Sequence, residues 1–158
     1  MPPAMHDHER VVRAFYEAFA KHDAAGMNTC YANDIRFSDP VFPDLRGDRA
    51  KGMWSMLCER GKDLVVELGE VAPDGTKAHW EAHYTFSGTG RKVHNIVSAS
   101  FEFRDGKIVR HVDQFDLWRW TRLALGPVGW LLGWSPIIQG KVRKTGAAGL
   151  DAFMARSR

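Results

Sequence analysis

Residues 93–120 constrain the fold more than any other part of the chain. An Asp105-Gly106 pair sits between two runs of alternating apolar and polar residues, a strong hairpin signal because Gly accepts the positive φ that tight turns need. On the first run Val93, Asn95, Val97, Ala99, Phe101 and Phe103 share one side, while His94, Ser98, Ser100 and Glu102 mainly take the other. That is the period of a half-buried strand. A returning strand is predicted over 107–118, with His111 and Asp113 on the face of Val109, Phe115 and Leu117. Taking a charge out of water costs several kcal/mol unless it is paired, so these two groups need a partner or a purpose. They fit either a rim beside a wet face of Arg110, Gln114 and Asp116, or a polar spot in a ligand pocket.

The remaining elements can be placed around this hairpin. Val11, Val12, Phe15, Ala18 and Phe19 recur at helical spacing, predicting an amphipathic helix over 6–22. Asp23 supplies a capping oxygen for a second short helix to about residue 32. A short strand over 35–39 is stopped by Pro40 and Pro43. A third helix is predicted over 47–60 from Met53, Trp54, Met56 and Leu57, and strands over 64–71 and 77–86 flank the turn Pro73-Asp74-Gly75. Trp80, Ala82, Tyr84 and Phe86 share one face of the later strand, with His79, Glu81, His83 and Thr85 opposite. His79 and His83 have the look of a zinc pair, but no third ligand of known spacing accompanies them, so no metal is expected.

Segregated helices beside a run of strands predict the α+β class. The expected architecture is a cone-shaped, curved antiparallel sheet wrapped around the N-terminal helices, as one domain over 1–120. Past Trp120, Leu123, Leu125, Val128, Trp130, Leu131, Leu132, Trp134, Ile137 and Ile138 crowd a stretch broken by Gly126-Pro127 and Ser135-Pro136. Prolines bar one continuous helix, so short helical pieces and then a helix to about 156 are expected. This C-terminal helical extension, 121–158, fits a cover over the domain or a dimer interface; a lid or an interfacial membrane anchor is the alternative.

Composition narrows the classes of partner. The net charge is +3, yet residues 119–158 carry seven Lys or Arg against one Asp, leaving the rest of the chain acidic. The basic residues are scattered without a recognition motif, so neither nucleic acid nor a membrane is the expected partner. Cys30 and Cys58 lack metal-ligand spacing and lie among apolar residues, which fits free thiols in a reducing compartment. With no signal-peptide pattern in the sequence, a cytoplasmic protein is expected.

Two segments resemble a known family. Tyr31-Ala32-Asn33-Asp34-Ile35-Arg36-Phe37-Ser38-Asp39-Pro40-Val41, after the opening helix, resembles the ketosteroid isomerases of the nuclear transport factor 2-like superfamily. Asp105-Gly106-Lys107-Ile108-Val109-Arg110-His111-Val112-Asp113-Gln114-Phe115-Asp116 resembles the SnoaL-like polyketide cyclases and the limonene epoxide hydrolases of that superfamily. The resemblance covers about residues 6–118. It implies that Asp39 is a general base acting on carbon beside a carbonyl, and that Asp113 is an acid/base aspartate. The isomerases' two oxyanion donors, a tyrosine and a protonated aspartic acid, fall at Phe15 and Ala99, which cannot donate. Tyr16 is one residue away, turned by about 100° on the helix. The hydrolases' Arg and second Asp fall near Ala82 and Tyr84. Authentic ketosteroid isomerisation is therefore not expected.

The candidate catalytic residues are Asp39, Asp113 and His111. Two carboxylates with different neighbours can hold different protonation states, as one acid and one base require. The aromatic side chains Phe15, Phe37, Trp54, Trp80, Phe86, Phe101 and Phe115, with Val97 and Ala99, suit a flat apolar ligand; Tyr16, Tyr84 and Asn95 are candidate polar contacts. The expected protein is a cofactor-independent isomerase, cyclase or hydrolase of an apolar cyclic or carbonyl compound, and a homodimer through the sheet's outer face. The alternative is a non-catalytic ligand-binding or protein-interaction domain of the same fold.

Overall fold

The structure, a computed structural model, describes residues 6–156. Helices α1 (Asp7–Ala20) and α2 (Ala24–Thr29) lead into strands β1 (Tyr31–Ser38) and β2 (Leu45–Arg46). Helix α3 (Asp48–Arg60) and strands β3 (Val65–Val71), β4 (Lys77–Phe86), β5 (Arg91–Arg104) and β6 (Lys107–Gln114) follow. Helices α4 (Leu117–Leu125), α5 (Pro127–Leu132) and α6 (Pro136–Arg156) close the chain. The strands form one curved six-stranded sheet in the order β2-β1-β6-β5-β4-β3. All neighbours are antiparallel except β1 and β6, which are parallel, so the expected antiparallel sheet carries one parallel pair.

Local chemistry explains the element ends. His6 Nδ1 accepts the N–H of His8 at the start of α1, and Asp23 accepts that of Gly26 at the start of α2. Val12, Phe15, Tyr16 and Phe19 form the buried face of α1. The β5–β6 hairpin turns on Asp105 (φ 52°) and Gly106 (φ 77°) between the paired Arg104 and Lys107. Two positive φ angles in a two-residue loop match the twist of the flanking strands.

Two boundaries and the phase of one strand differ from the sequence reading. Residues 31 and 32 open β1 instead of ending α2, because Tyr31 registers beside Ile108 across the parallel pair and Ile108 N–H bonds the Cys30 carbonyl. Strand β6 stops at Gln114, because Asp116 accepts the N–H of Arg119 and caps α4. A bulge follows Phe103↔Ile108: the next pair is Glu102↔Arg110, so Val109 is the extra residue. Ile108, not Val109, therefore shares the buried face with His111 and Asp113.

The core lies between the sheet's concave face and α1, α2 and α3, with Trp54, Tyr16, Phe15, Phe19 and Phe37 fully buried. The C-terminal helices brace one end of it. On α6, Leu150 and Phe153 are buried, Asp151 pairs with Arg49 at 2.8 Å, and Arg143 Nε donates to the Pro40 carbonyl at 2.9 Å. A Cβ on Gly146 would come within 2.9 Å of Val41 Cγ1, so α6 rests directly on the loop after β1.

Candidate active site

Asp39 stands where β1 gives way to that loop. Its Oδ1 accepts the N–H groups of Val41 (2.7 Å) and Phe42 (2.6 Å), and its own N–H donates to the Phe42 carbonyl (2.8 Å). Aspartate favours such turns because its short side chain bonds the backbone just ahead of it. The second oxygen has no hydrogen-bond partner among the described residues. Asp39 is on the wall of a cavity of about 290 Å³, together with Val41, Phe42, Met53, Trp54 and Met56. Strands β4 and β5 add Trp80, Ala82, Tyr84, Phe86, Asn95 and Val97; Asp113, Phe115 and Trp120 complete the side facing α4.

Burial in these surroundings pushes the Asp39 carboxyl up to about 7, against the pull of the Phe42 N–H; the Asp113 charge raises it further and the Val41 N–H lowers it. A group titrating near neutrality can both take and return a proton there.

Asp113 is held from below. Its Oδ1 bonds His111 Nε2 at 2.8 Å and accepts Trp80 Nε1 at 3.4 Å. His111 Nδ1 bonds the Tyr31 hydroxyl at 2.7 Å, and Trp54 Nε1 donates to the same hydroxyl at 2.8 Å. An indole N–H only donates, so with a neutral imidazole one assignment satisfies every group: Tyr31 O–H donates to Nδ1, and Nε2–H donates to Asp113. The His111 ring is fully buried, stacked on Trp54 at 5.9 Å and edged by Phe37 and Phe15 at 5.0 and 5.5 Å.

The sequence-derived residues thus divide into two layers. Asp39, Asp113, Trp54, Trp80, Tyr84, Phe86, Asn95, Val97 and Phe115 line the cavity. His111 is not on that wall; it lies beneath it, bonded to Asp113. Phe15, Phe37 and Phe101 pack around the imidazole, and Ala99 faces Asp113 across the ladder; these four belong to the core and not to the cavity wall. Tyr16 is also interior, its hydroxyl buried without a hydrogen-bond partner and its phenol held well above the ordinary range by burial.

Two residues were not anticipated. Tyr31 lay in a segment read as helix, and its inward orientation follows only from the parallel pairing. Trp120 donates its Nε1 to the Tyr84 hydroxyl at 2.6 Å, a contact 36 residues apart in sequence that no local pattern signals. With its oxygen accepting from Trp120, Tyr84 keeps its own proton for an acceptor in the cavity. Burial raises its phenol, opposed by the Trp120 bond and reinforced by the Asp39 charge. The Asn95 amide, one diagonal step away since Ala82 registers with Asn95 and Tyr84 with Val93, has no hydrogen-bond partner among the described residues.

On the opposite face of the sheet, Glu81, His83 and His94 bring one ligand atom each within 4.8 Å of one another; of the pair read from the sequence, His83 belongs to this group and His79 does not. The two rings stack at 4.1 Å and 13°, and their Nε2 atoms face separate carboxylates, Glu67 at 3.5 Å and Glu81 at 2.5 Å. An imidazole lone pair lies in its ring plane, so two stacked rings do not converge on one ion.

A family profile described as SnoaL-like domain matches residues 12–111. No curated protein matches the sequence. Among solved structures, an NTF2-like protein of unknown function from Burkholderia pseudomallei is 21% identical, with a TM-score of 0.64 over 75% of this chain and 98% of that one. An LEH-like epoxide hydrolase from M. tuberculosis is 22% identical, with a TM-score of 0.60 over 80% and 96%. A candidate polyketide cyclase from Xanthomonas campestris is 23% identical, with a TM-score of 0.59 over 74% and 96%. At these identities the likeness shows the fold alone.

Proposed function

Because the chain belongs to the SnoaL-like domain family, with residues 12–111 matching its profile, we propose that it is a cofactor-independent acid/base enzyme acting on an apolar cyclic or carbonyl compound. The observation that carries this reading is Asp39: one carboxyl oxygen fixed by two backbone N–H groups, the other without a hydrogen-bond partner among the described residues, on the wall of an apolar cavity where burial pushes the carboxyl up to about 7. As a carboxylate, Asp39 removes a proton from carbon beside the substrate carbonyl, and the electron pair of that C–H bond passes to the carbonyl oxygen as an enolate. Tyr84 O–H and the Asn95 amide donate to that oxygen. Asp39, now protonated, returns the proton to the product. Asp113, fixed by His111, lies near Asp39, and its influence raises the Asp39 carboxyl and so strengthens it as the base of the first step.

A screen of lactones, epoxides and enones tests the reading. Turnover of at least one class is expected, and Tyr84→Phe should lower kcat by about a hundred- to a thousand-fold, the range for losing one donor to an oxyanion. Binding of these compounds without turnover would make the chain a ligand-binding member of the family instead.

The same reading keeps residues 121–158 as an extension of the 1–120 domain, and the buried free thiols Cys30 and Cys58 fit a cytoplasmic setting. We further propose a homodimer through the outer sheet face, where Val65 and Ile96 are half-exposed beside His79, Glu81, His83 and His94. Light scattering at tens of micromolar, roughly the range of a stable dimer, should report the dimer mass, and Ile96→Glu should halve it. A wild type that scatters only as monomer contradicts the dimer.

A further inference from the structure

The α4–α6 end of the molecule distributes its residues the wrong way round for a core. Gly129 of α5 and Gly133 at its C-terminal cap are buried: a Cβ on the first would collide with the Thr121 carbonyl, and on the second with the Thr121 hydroxyl. The glycines are thus the packed face of α5, and its large side chains turn outward. Val128, Trp130, Leu132 and Trp134 are exposed by half or more of their surface or nearly so, and Leu131 and Ile137 by 73% and 74%. Outside this stretch and Trp118, the exposed large hydrophobics are Val65 and Ile96 alone among the described residues. An apolar patch of this kind marks an interaction surface.

Its charge selects the partner. Arg122 lies over the rings of Trp118 and Trp130 at 4.4 and 4.9 Å. The Arg91 guanidinium rests against Gly126, where α5 begins. Lys141 follows Ile137 by one helical turn and so shares its side of α6. None of these three cations forms an ion pair with an acidic side chain among the described residues. The one acid of residues 119–156, Asp151, is taken up by Arg49.

We propose that this end docks on the surface of an anionic lipid bilayer. Tryptophans seat at the boundary between headgroups and acyl chains, leucine and isoleucine enter just below, and unpaired Arg and Lys meet the negative headgroups. No described helix is long and apolar enough to cross a membrane, so the segment lies on the bilayer. A second copy fits less well, since two-fold pairing through this patch would bring Arg91, Arg122 and Lys141 against the same cations of the partner. The sequence pattern had favoured a cover over the sheet or subunit interface, because it shows how many apolar residues a stretch holds but not which way they turn.

Full-length protein is mixed with phosphatidylcholine vesicles, with and without phosphatidylglycerol, and sedimented. Binding to the anionic vesicles with a blue shift of tryptophan emission is expected, weaker by about tenfold or more on phosphatidylcholine alone and for Lys141→Glu. Trp130→Ser combined with Leu131→Ser and Trp134→Ser should abolish it without lowering the melting temperature, because all three side chains are exposed. Failure to bind anionic vesicles, or undiminished binding by the triple variant, overturns the proposal. So does self-association that the triple variant abolishes and Ile96→Glu leaves intact, which would make a second copy the occupant.

Discussion

Asp39→Asn is expected to lower turnover of any substrate found by about a hundred- to ten-thousand-fold, the usual contribution of a positioned acid/base group, while the protein folds normally. The asparagine Oδ1 can still accept the N–H groups of Val41 and Phe42 that define the turn; only the titrating function is lost. Stability should move the other way. The carboxyl titrates near 7 in the fold against an ordinary 3.8, so between those values the native state holds a proton that the unfolded chain has released. The native state binds more protons there, and stability falls as pH rises through the window. Below it the carboxyl is protonated in both states and the penalty vanishes. Asn cannot titrate, so the variant should exceed the wild type by roughly 1–3 kcal/mol at mildly alkaline pH and match it in acid. Urea unfolding at both ends of the window measures this. A variant less stable at every pH would make Asp39 a structural residue of the turn.

His111→Ala is expected to cost about 3–5 kcal/mol in the same assay. The substitution empties a space enclosed by Trp54, Phe37, Phe101 and Phe15, and it takes the acceptor of the Tyr31 hydroxyl and the shorter hydrogen bond of the Asp113 carboxylate together. Asp113→Asn should cost much less, since an amide oxygen can still accept from His111 Nε2 and Trp80 Nε1, yet it too should slow turnover. Equal losses of stability from the two changes would mean that the charge of Asp113, and not the packing and bonding of the imidazole, is what the core requires.

How far the sequence could be read depended on how local each determinant is. The Asp105-Gly106 turn and the alternation along β5 are set by residues within a few positions of one another, and both appear in the structure as expected. The Val109 bulge is a single inserted residue that leaves no trace in an alternating pattern, so the phase of β6 before His111 was off by one. The parallel pairing of β1 with β6 joins segments far apart in sequence, which hid both the true start of β1 and the role of Tyr31. Phe15, Phe37 and Phe101 were grouped with the cavity because a core and an apolar ligand site ask for the same side chains; only their packing around His111 separates them. Asp39 could be singled out because its segment resembles that of the ketosteroid isomerases, but that one of its oxygens bonds the backbone ahead of it follows only from the geometry.

The central claim is that the Asp39 carboxyl, set in an apolar cavity, changes protonation near neutral pH. Protein labelled at the aspartate side-chain carboxyl carbons can be followed by NMR through a pH titration, with Asp39→Asn assigning the signal. The predicted result is a carboxyl resonance with its midpoint near 7 that is missing from the variant. An Asp39 resonance whose midpoint lies at the ordinary value of 3.8 would contradict the account.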